Sequence, residues 1–221
     1  MFNIAIDGPA GAGKSSIAKA VSKALGFIYV DTGALYRTVG LAVLRAGIAP
    51  EDAEKVAALL PEITVDLAFE DGTQKVLLNG EDVSDALRTP QISEYASKTS
   101  AIPAVRHFLF DLQQKIAATH NVLMDGRDIG TVVLPNAQLK VFLTASPKVR
   151  AMRRYKELTE KGQTVLYDNI LAEVKERDYR DTHREIAPLK PAEDAVLLDT
   201  SDMSFEEVAA TLTQLAKETL V

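Results

Sequence analysis

Five short, uninterrupted apolar runs punctuate the chain: Ile4-Ala5-Ile6, Ile28-Tyr29-Val30, Val122-Leu123-Met124, Val141-Phe142-Leu143 and Ala195-Val196-Leu197-Leu198. A strand with one wet face alternates, whereas one covered on both faces does not, so these runs predict a buried parallel sheet. Each run leads into a small polar or acidic residue, Asp7, Asp31, Asp125, Thr144 or Asp199. Ligands of open parallel sheets bind beyond the carboxyl ends of the strands, which makes these positions candidates for chemistry. Helices are expected in the gaps. Ile17, Val21, Ala24 and Leu25 share one helical face, closed by Gly26; a second helix spans about 34–46 and stops at Gly47. Pro103 suits the first turn of a helix reaching about Thr119, and Ser146-Pro147 opens another. Ser204 and Glu207 make a capping box for a last helix expected to bury Val208, Leu212 and Leu215.

One stretch changes period. Ile63, Val65, Leu67 and Phe69 alternate with mainly polar residues, Asp71-Gly72 supplies a turn, Val76 to Leu78 a strand and Asn79-Gly80 a second turn. That pattern predicts a small antiparallel sheet inserted at about 62–84. The fold expected is α/β: a five-stranded parallel sheet flanked by helices, with a small antiparallel β insertion and a helical lid.

Composition narrows the class. A chain of 221 residues, 47% hydrophobic, can bury the core of one α/β domain. It has no cysteine, so disulfides and thiolate metal sites are excluded and any metal must be held by oxygen ligands, as Mg²⁺ is. A reducing cytoplasm is the expected location. Met1 leads directly into a short apolar strand, with no basic leader or long apolar span, so neither export nor membrane insertion is expected. The net charge of -6 argues against a nucleic-acid or membrane-surface binder. Residues 148–190 nevertheless carry 11 Lys and Arg against 8 Asp and Glu, a local excess suited to an anionic ligand.

Gly8-Pro9-Ala10-Gly11-Ala12-Gly13-Lys14-Ser15 matches G-x-x-x-x-G-K-[ST] between the first predicted strand and the first predicted helix, with Ser16 next on that helix. Its glycines let backbone N–H groups wrap a phosphate, Lys14 reaches the β- and γ-phosphates, and the Ser15 hydroxyl can join a Mg²⁺ shell. The donor implied is ATP with Mg²⁺. In Asp31-Thr32-Gly33-Ala34-Leu35-Tyr36-Arg37, Thr32 is expected to cap a helix that presents Arg37, either as a phosphate fork or as a surface ion pair. In Asp125-Gly126-Arg127-Asp128-Ile129-Gly130-Thr131, Asp125 suits the Mg²⁺ shell, with Asp7 the weaker candidate; Arg127 and Asp128 either touch an acceptor or tie a loop together. Arg177, Arg180 and Arg184 recur at spacings that put three guanidinium groups on one face of a helix or its continuation, with Asp181 able to pair with one. Arg150 with Arg153 or Arg154 forms a second basic face. Residues 155–185 are read either as a lid that brings arginines to developing charge or as an ordinary charged hairpin.

Taken together, the P-loop, the Asp31 to Arg37 segment, Gly80-Glu81-Asp82-Val83-Ser84 with Leu87-Arg88-Thr89, the Asp125 to Thr131 segment and Glu176-Arg177-Asp178 leading to Arg180-Asp181 resemble bacterial-type cytidylate kinases over essentially the whole chain. The resemblance implies transfer of the ATP γ-phosphoryl group to CMP or dCMP. It implies an acceptor pocket of Thr32, Arg37, Ser97, Arg106, Arg127, Asp128, Asp181 and Arg184; Ser97 and Arg106 come from the resemblance alone. Many relatives carry Ser where this chain has Thr32, which keeps the hydroxyl and adds a methyl. The residues expected to act on the transferring group are Lys14, Arg127, Arg177, Arg180 and Arg184, with Ser15 and Asp125 holding the metal. A single kinase domain is expected, with core 1–61, 101–150 and 186–221, an acceptor-binding insertion at about 62–100 and a lid at about 151–185. The expected state is monomeric, with no nucleic-acid or membrane partner. An acceptor phosphate is ionised near pH 7 and needs no general base; the three histidines form no catalytic cluster. Rival readings are a kinase for UMP, dTMP or shikimate, and a nucleotide switch, which would need an N-K-x-D element that the chain lacks.

Overall fold

A computed structural model of the chain describes residues 1–70 and 73–220. In chain order the elements are β1 (Asn3–Asp7), α1 (Lys14–Leu25), β2 (Ile28–Asp31), α2 (Thr32–Arg45), α3 (Ala53–Leu59), β3 (Val65–Glu70), β4 (Thr73–Leu78), β5 (Glu81–Asp82), α4 (Pro90–Thr99), α5 (Pro103–Thr119), β6 (Val122–Gly126), β7 (Leu139–Thr144), α6 (Pro147–Glu160), α7 (Tyr167–His183), β8 (Val196–Asp199) and α8 (Phe205–Thr219). All five apolar runs are strands of one parallel sheet, in the order β2-β6-β1-β7-β8. The alternating stretch is the three-stranded antiparallel sheet β3-β4-β5. The fold class is therefore as the pattern predicts. No helix among the described residues is long and apolar enough to cross a membrane.

Local chemistry explains most element ends. Gly26 closes α1 with a left-handed φ of 69° and donates its N–H to the last turn. Asn79 and Gly80, at φ 51° and 83°, make the tight reversal into β5 that Asn-Gly pairs favour. Ser204 and Glu207 form the reciprocal capping box of α8. The Asp71-Gly72 turn lies outside the described residues.

The structure departs from the sequence reading in several places. Asp31, not Thr32, caps α2: its carboxylate accepts the Ala34 N–H, and a negative group suits the positive end of a helix. Thr32 is instead the first helical residue and is buried. On α8 the third buried position is Ala216, while Leu215 is only partly covered. On α1 Ala24 is exposed, and its neighbour Ser22 takes the inward position. The run at 195–198 is not covered on both faces, because β8 is the last strand of the sheet and Leu197 is 66% exposed.

The chain forms two compact units. The first comprises Ile28–Val122 together with Met1, and the second Phe2–Phe27 with the chain from Leu123 onward. In the first unit α2 packs against α4, α5 and the antiparallel sheet. Its core joins Leu35, Val39 and Val43 of α2 to Val65, Val76 and Leu78 of the sheet and to Val105 and Leu109 of α5. In the second unit β1 pairs with β7 and β7 with β8, all parallel, α1 packs on α8, and α6 packs on α7. Ile4, Ile6, Val21, Leu123, Met124, Leu143 and Leu212 are completely enclosed there.

Gly40 shows how closely α2 and α4 approach: a Cβ on it would lie 2.9 Å from the Ala96 backbone nitrogen. Exchange for alanine inside a helix normally gains about 1 kcal/mol, but overpacking against an unyielding backbone costs about 1–3 kcal/mol. The steric cost outweighs the propensity gain. Gly40→Ala is therefore expected to lower the urea unfolding midpoint, and a midpoint at or above wild type would show that the two helices can separate at no cost.

Candidate active site

The P-loop lies at the carboxyl end of β1, and its glycines have different reasons. Gly8 has φ 147°, and a Cβ there would stand 1.9 Å from the carbonyl oxygen of Leu143 on β7, so the loop leaves the sheet where no side chain fits. Gly13, at φ 89°, turns the backbone into α1 and faces open space. Lys14 is buried, and its ammonium donates to the Pro9 carbonyl oxygen at 2.8 Å, reaching back across the loop. Burial, and then the positive charge of Arg127, pull this ammonium well below the ordinary lysine range, against the opposing pull of Asp125, Asp181 and Asp7. Ser15 and Ser16 are exposed on the first turn of α1, and the Ser15 hydroxyl donates to the Asp125 carboxylate at 2.9 Å.

Asp7, at the end of β1, accepts the N–H groups of Ile129 and Gly130, each at 2.7 Å. Both carboxylate oxygens are thereby engaged on a wide single helical turn, Ile129–Val133, of the π type that recurs at functional sites. Burial raises the Asp7 carboxyl to about 6, although the two N–H donors and Lys14 work the other way and Asp128 adds to the rise. A Cβ on Gly130 would press on this clamp, 3.3 Å from Asp7 and 3.2 Å from Lys140. Asp125, not Asp7, therefore has an oxygen turned to the P-loop serine.

The clamp holds Arg127 and Asp128 beside the elements around α7. Arg127 Nε donates to Asp181 at 2.9 Å, and Arg184, just past the end of α7, donates to Asp128 at 3.3 Å. Burial pushes Asp181 up, but Arg127, Arg177 and Arg184 together outweigh it and hold its carboxyl below the usual range. The three expected lid arginines thus do not share one face. Arg177 and Arg184 act on Asp181, whereas Arg180 is exposed and lies 3.9 Å from Glu176, one turn before it. Arg184 is fixed further by donating from Nε to Ala187, a non-glycine residue at φ 49°.

Arg150 does not lie on a free basic face. It is 2% exposed, forks Asp178 of α7, and donates to the carbonyl oxygens of Ala10 in the P-loop and Ala145 after β7. Arg153 bonds Thr200, and Arg154 pairs with Glu157. The basic helix therefore ties α7 to the phosphate loop through one buried guanidinium.

In the first unit Arg37 pairs with Asp31 at 2.8 Å across Gly33, where a Cβ would come within 3.1 Å of both. The buried Arg37 Nε–H has no hydrogen-bond acceptor among the described residues. Arg106 lies over the ring of Tyr36, 5.7 Å from its centroid, and donates to the Ser100 carbonyl oxygen. Ser97 is half-buried on α4, and its own carbonyl accepts the Ser100 hydroxyl. Four of the eight expected acceptor residues, Thr32, Arg37, Ser97 and Arg106, thus belong to this unit, and Arg127, Asp128, Asp181 and Arg184 belong to the other.

A sequence model of the family described as cytidylate kinase matches residues 4–218. The chain belongs to the cytidylate kinase family. It is 51% identical to the cytidylate kinase of Caldicellulosiruptor bescii, over 97% of this chain and 95% of that protein. It is 50% identical to that of Carboxydothermus hydrogenoformans, over 97% and 96%. Among solved structures, an uncharacterized protein from Eubacterium ventriosum superposes with a TM-score of 0.52 at 13% identity, covering 98% of each chain, and shows the fold alone. Cytidylate kinase family members are phosphotransferases, and the groups above suit a phosphate-handling site.

Mg²⁺ fits the residues present. Ser15 and Asp125 offer oxygen donors already in contact, and no cluster of three or more His, Cys, Asp or Glu among the described residues could enclose a metal. A site with two protein oxygens, completed by phosphate oxygens and water, is the usual way Mg²⁺ is held beside a nucleotide.

Three contacts were not expected from the sequence. Asp178 and the buried role of Arg150 depend on contacts 28 and 140 residues apart, which no local pattern encodes. Gln74 bonds the backbone of Asp31, and here a signal existed: it holds the inward phase of β4, two and four residues before the buried Val76 and Leu78. A polar residue on an apolar phase calls for a partner.

Asp7 yields a pH test. Burial lifts the native carboxyl to about 6, above the 3.8 of an aspartate in water, so native Asp7 holds its proton more tightly than the unfolded chain does. Its stabilising contribution is complete below pH 3.8 and is lost as pH rises through about 6, a change of about 3 kcal/mol. Asp7→Asn cannot titrate, so the stability of wild type minus that of the variant, from urea unfolding, is expected to shrink between pH 4.5 and about 7. A difference that stays flat or grows would contradict the assignment.

Proposed function

We propose that this protein transfers the γ-phosphoryl group of ATP to the 5'-phosphate of CMP or dCMP, giving ADP and CDP or dCDP. The observation that carries the reading is the family match across residues 4–218, at about half identity to proteins named cytidylate kinase. The charge distribution of the site supports it. A site for one nucleotide would need the P-loop and a metal; here Arg127, Arg177 and Arg184 add further cations on Asp181 and Asp128.

In this reading Gly8, Pro9, Ala10, Gly11, Ala12, Gly13, Lys14, Ser15 and Ser16 hold ATP, through loop N–H groups, the Lys14 ammonium and the Ser15 hydroxyl. Ser15 and Asp125 would hold Mg²⁺, which when bound would supply neutralisation of phosphate charge. Arg37 and Arg106 grip the acceptor phosphate. Ser97, Thr32, Asp128 and Asp181 supply the hydroxyls and carboxylates that the cytosine amine and ring nitrogen, or the ribose, require. Arg127, Arg177 and Arg184 meet the charge that spreads over the transferring group; no proton need be removed, so catalysis is positioning plus neutralisation. Arg180, on the solvent side of α7, reaches the phosphates in this reading only if the lid moves. The core is assigned to 1–61, 101–150 and 186–221, the acceptor-binding insertion to about 62–100 and the lid to about 151–185, in a monomer of the cytoplasm.

ADP release from ATP and Mg²⁺, measured against CMP, dCMP, UMP, dTMP and shikimate, tests the acceptor. CMP and dCMP are expected to stand far above the others; release with CMP no greater than without acceptor would refute the reading. Lys14→Ala is expected to cut kcat by at least about a hundredfold while the far-ultraviolet circular dichroism is kept. Arg184→Ala should lower kcat by about a hundredfold with ATP affinity nearly unchanged, and a defect confined to ATP binding would remove Arg184 from the transfer step.

A further inference from the structure

We propose that Gln74 is a positioning residue that couples the inserted β-sheet to Arg37 and so sets the affinity for the acceptor phosphate; this rests on CMP being the acceptor. Gln74 shares a face of β4 with Val76 and Leu78, which are buried in the core of their unit. Leucine or valine would extend that apolar face. The amide instead engages both backbone groups of a single residue, Asp31: its Oε1 accepts the Asp31 N–H at 2.8 Å, and its Nε2 donates to the Asp31 carbonyl oxygen at 3.3 Å. A neighbouring strand would pair with those groups in the same way.

Asp31 is the last residue of β2 and the cap of α2. One carboxylate oxygen accepts the Ala34 N–H at 2.9 Å, and the other accepts Arg37 at 2.8 Å. The pair lies over Gly33, in space that a Cβ at that position would take up, 3.1 Å from each partner. Displacement of the Asp31 backbone therefore displaces Arg37. The buried Arg37 Nε–H, with no acceptor among the described residues, is a donor suited to a phosphate oxygen once the arginine is held in place. A side chain of the insertion thus reaches the acceptor arginine through one intermediate residue, without touching substrate itself.

The test is steady-state kinetics with both substrates on wild type, Gln74→Met, Gln74→Glu, Arg37→Ala and the double variant Gln74→Met with Arg37→Ala, with melting temperatures recorded alongside. Gln74→Met keeps the length and the apolar packing while removing both hydrogen bonds. It is expected to raise the KM for CMP by about tenfold, with the KM for ATP unchanged. Gln74→Glu keeps the acceptor but sets a carboxylate against the Asp31 carbonyl, and should lose at least as much. In the Arg37→Ala background Gln74→Met should add nothing further, because the arginine it positions is gone. An unchanged KM for CMP, equal losses on both substrates, or fully additive effects in the double variant would each overturn the inference. Wild type inactive on CMP would overturn the acceptor assignment and this inference together, whereas an active wild type with an indifferent Gln74 would overturn the inference alone.

Discussion

Charge balance in a buried space is the constraint on which the second unit is organised. Lys14, Arg127, Arg177 and Arg184 gather positive charge within this unit, and water covers little of Lys14. Burying such groups without partners costs several kcal/mol each, so carboxylates accompany them. Asp181 answers Arg127, Arg177 and Arg184, and Asp128 answers Arg184. In the function proposed, phosphate competes with these carboxylates for the same donors, so the ion pairs are partners that a ligand can replace.

Fixed geometry comes from a different set of contacts. Asp7 spends both oxygens on backbone N–H groups of the Ile129–Val133 turn, which sets the direction of Arg127 and Asp128 just before it. Arg150 does the same for the P-loop from the other side, joining Ala10, Ala145 and Asp178 through one guanidinium. A planar fork with five donors can satisfy a carboxylate and two carbonyl groups together, which a lysine cannot. The phosphate loop is thus tied to α7, the helix that carries Arg177 and Asp181.

The strand-terminal aspartates show how one residue type at one kind of position acquires separate duties. Asp7 binds backbone, Asp125 faces the hydroxyl of Ser15, and Asp31 caps a helix while holding Arg37. Each lies at or next to the carboxyl end of its own strand. What distinguishes them is the nearest donor, and that donor comes from elsewhere in the chain.

Much of this was legible in the amino-acid order. Continuous apolar runs marked the five parallel strands, alternation marked β3 and β4, and the capping box of α8 and the glycine stops of α1 and α2 were readable because each depends on residues within one turn of each other. The P-loop was readable for the same reason: its sterics and donors lie in eight adjacent residues. The cap of α2 was misplaced by one residue, since Asp31 and Thr32 are both good caps and only the carboxylate's second partner, Arg37, decides between them. Spacing alone put Arg177, Arg180 and Arg184 together, but Arg180 turned to solvent and Arg184 left the helix. Local steric and hydrogen-bonding rules act over a few residues, so the sequence by itself determined the elements and the phosphate loop. Which arginine meets which aspartate, as with Arg127 and Asp181 or Arg184 and Asp128 across more than fifty residues, was decided only when packing brought distant charges into one poorly hydrated space.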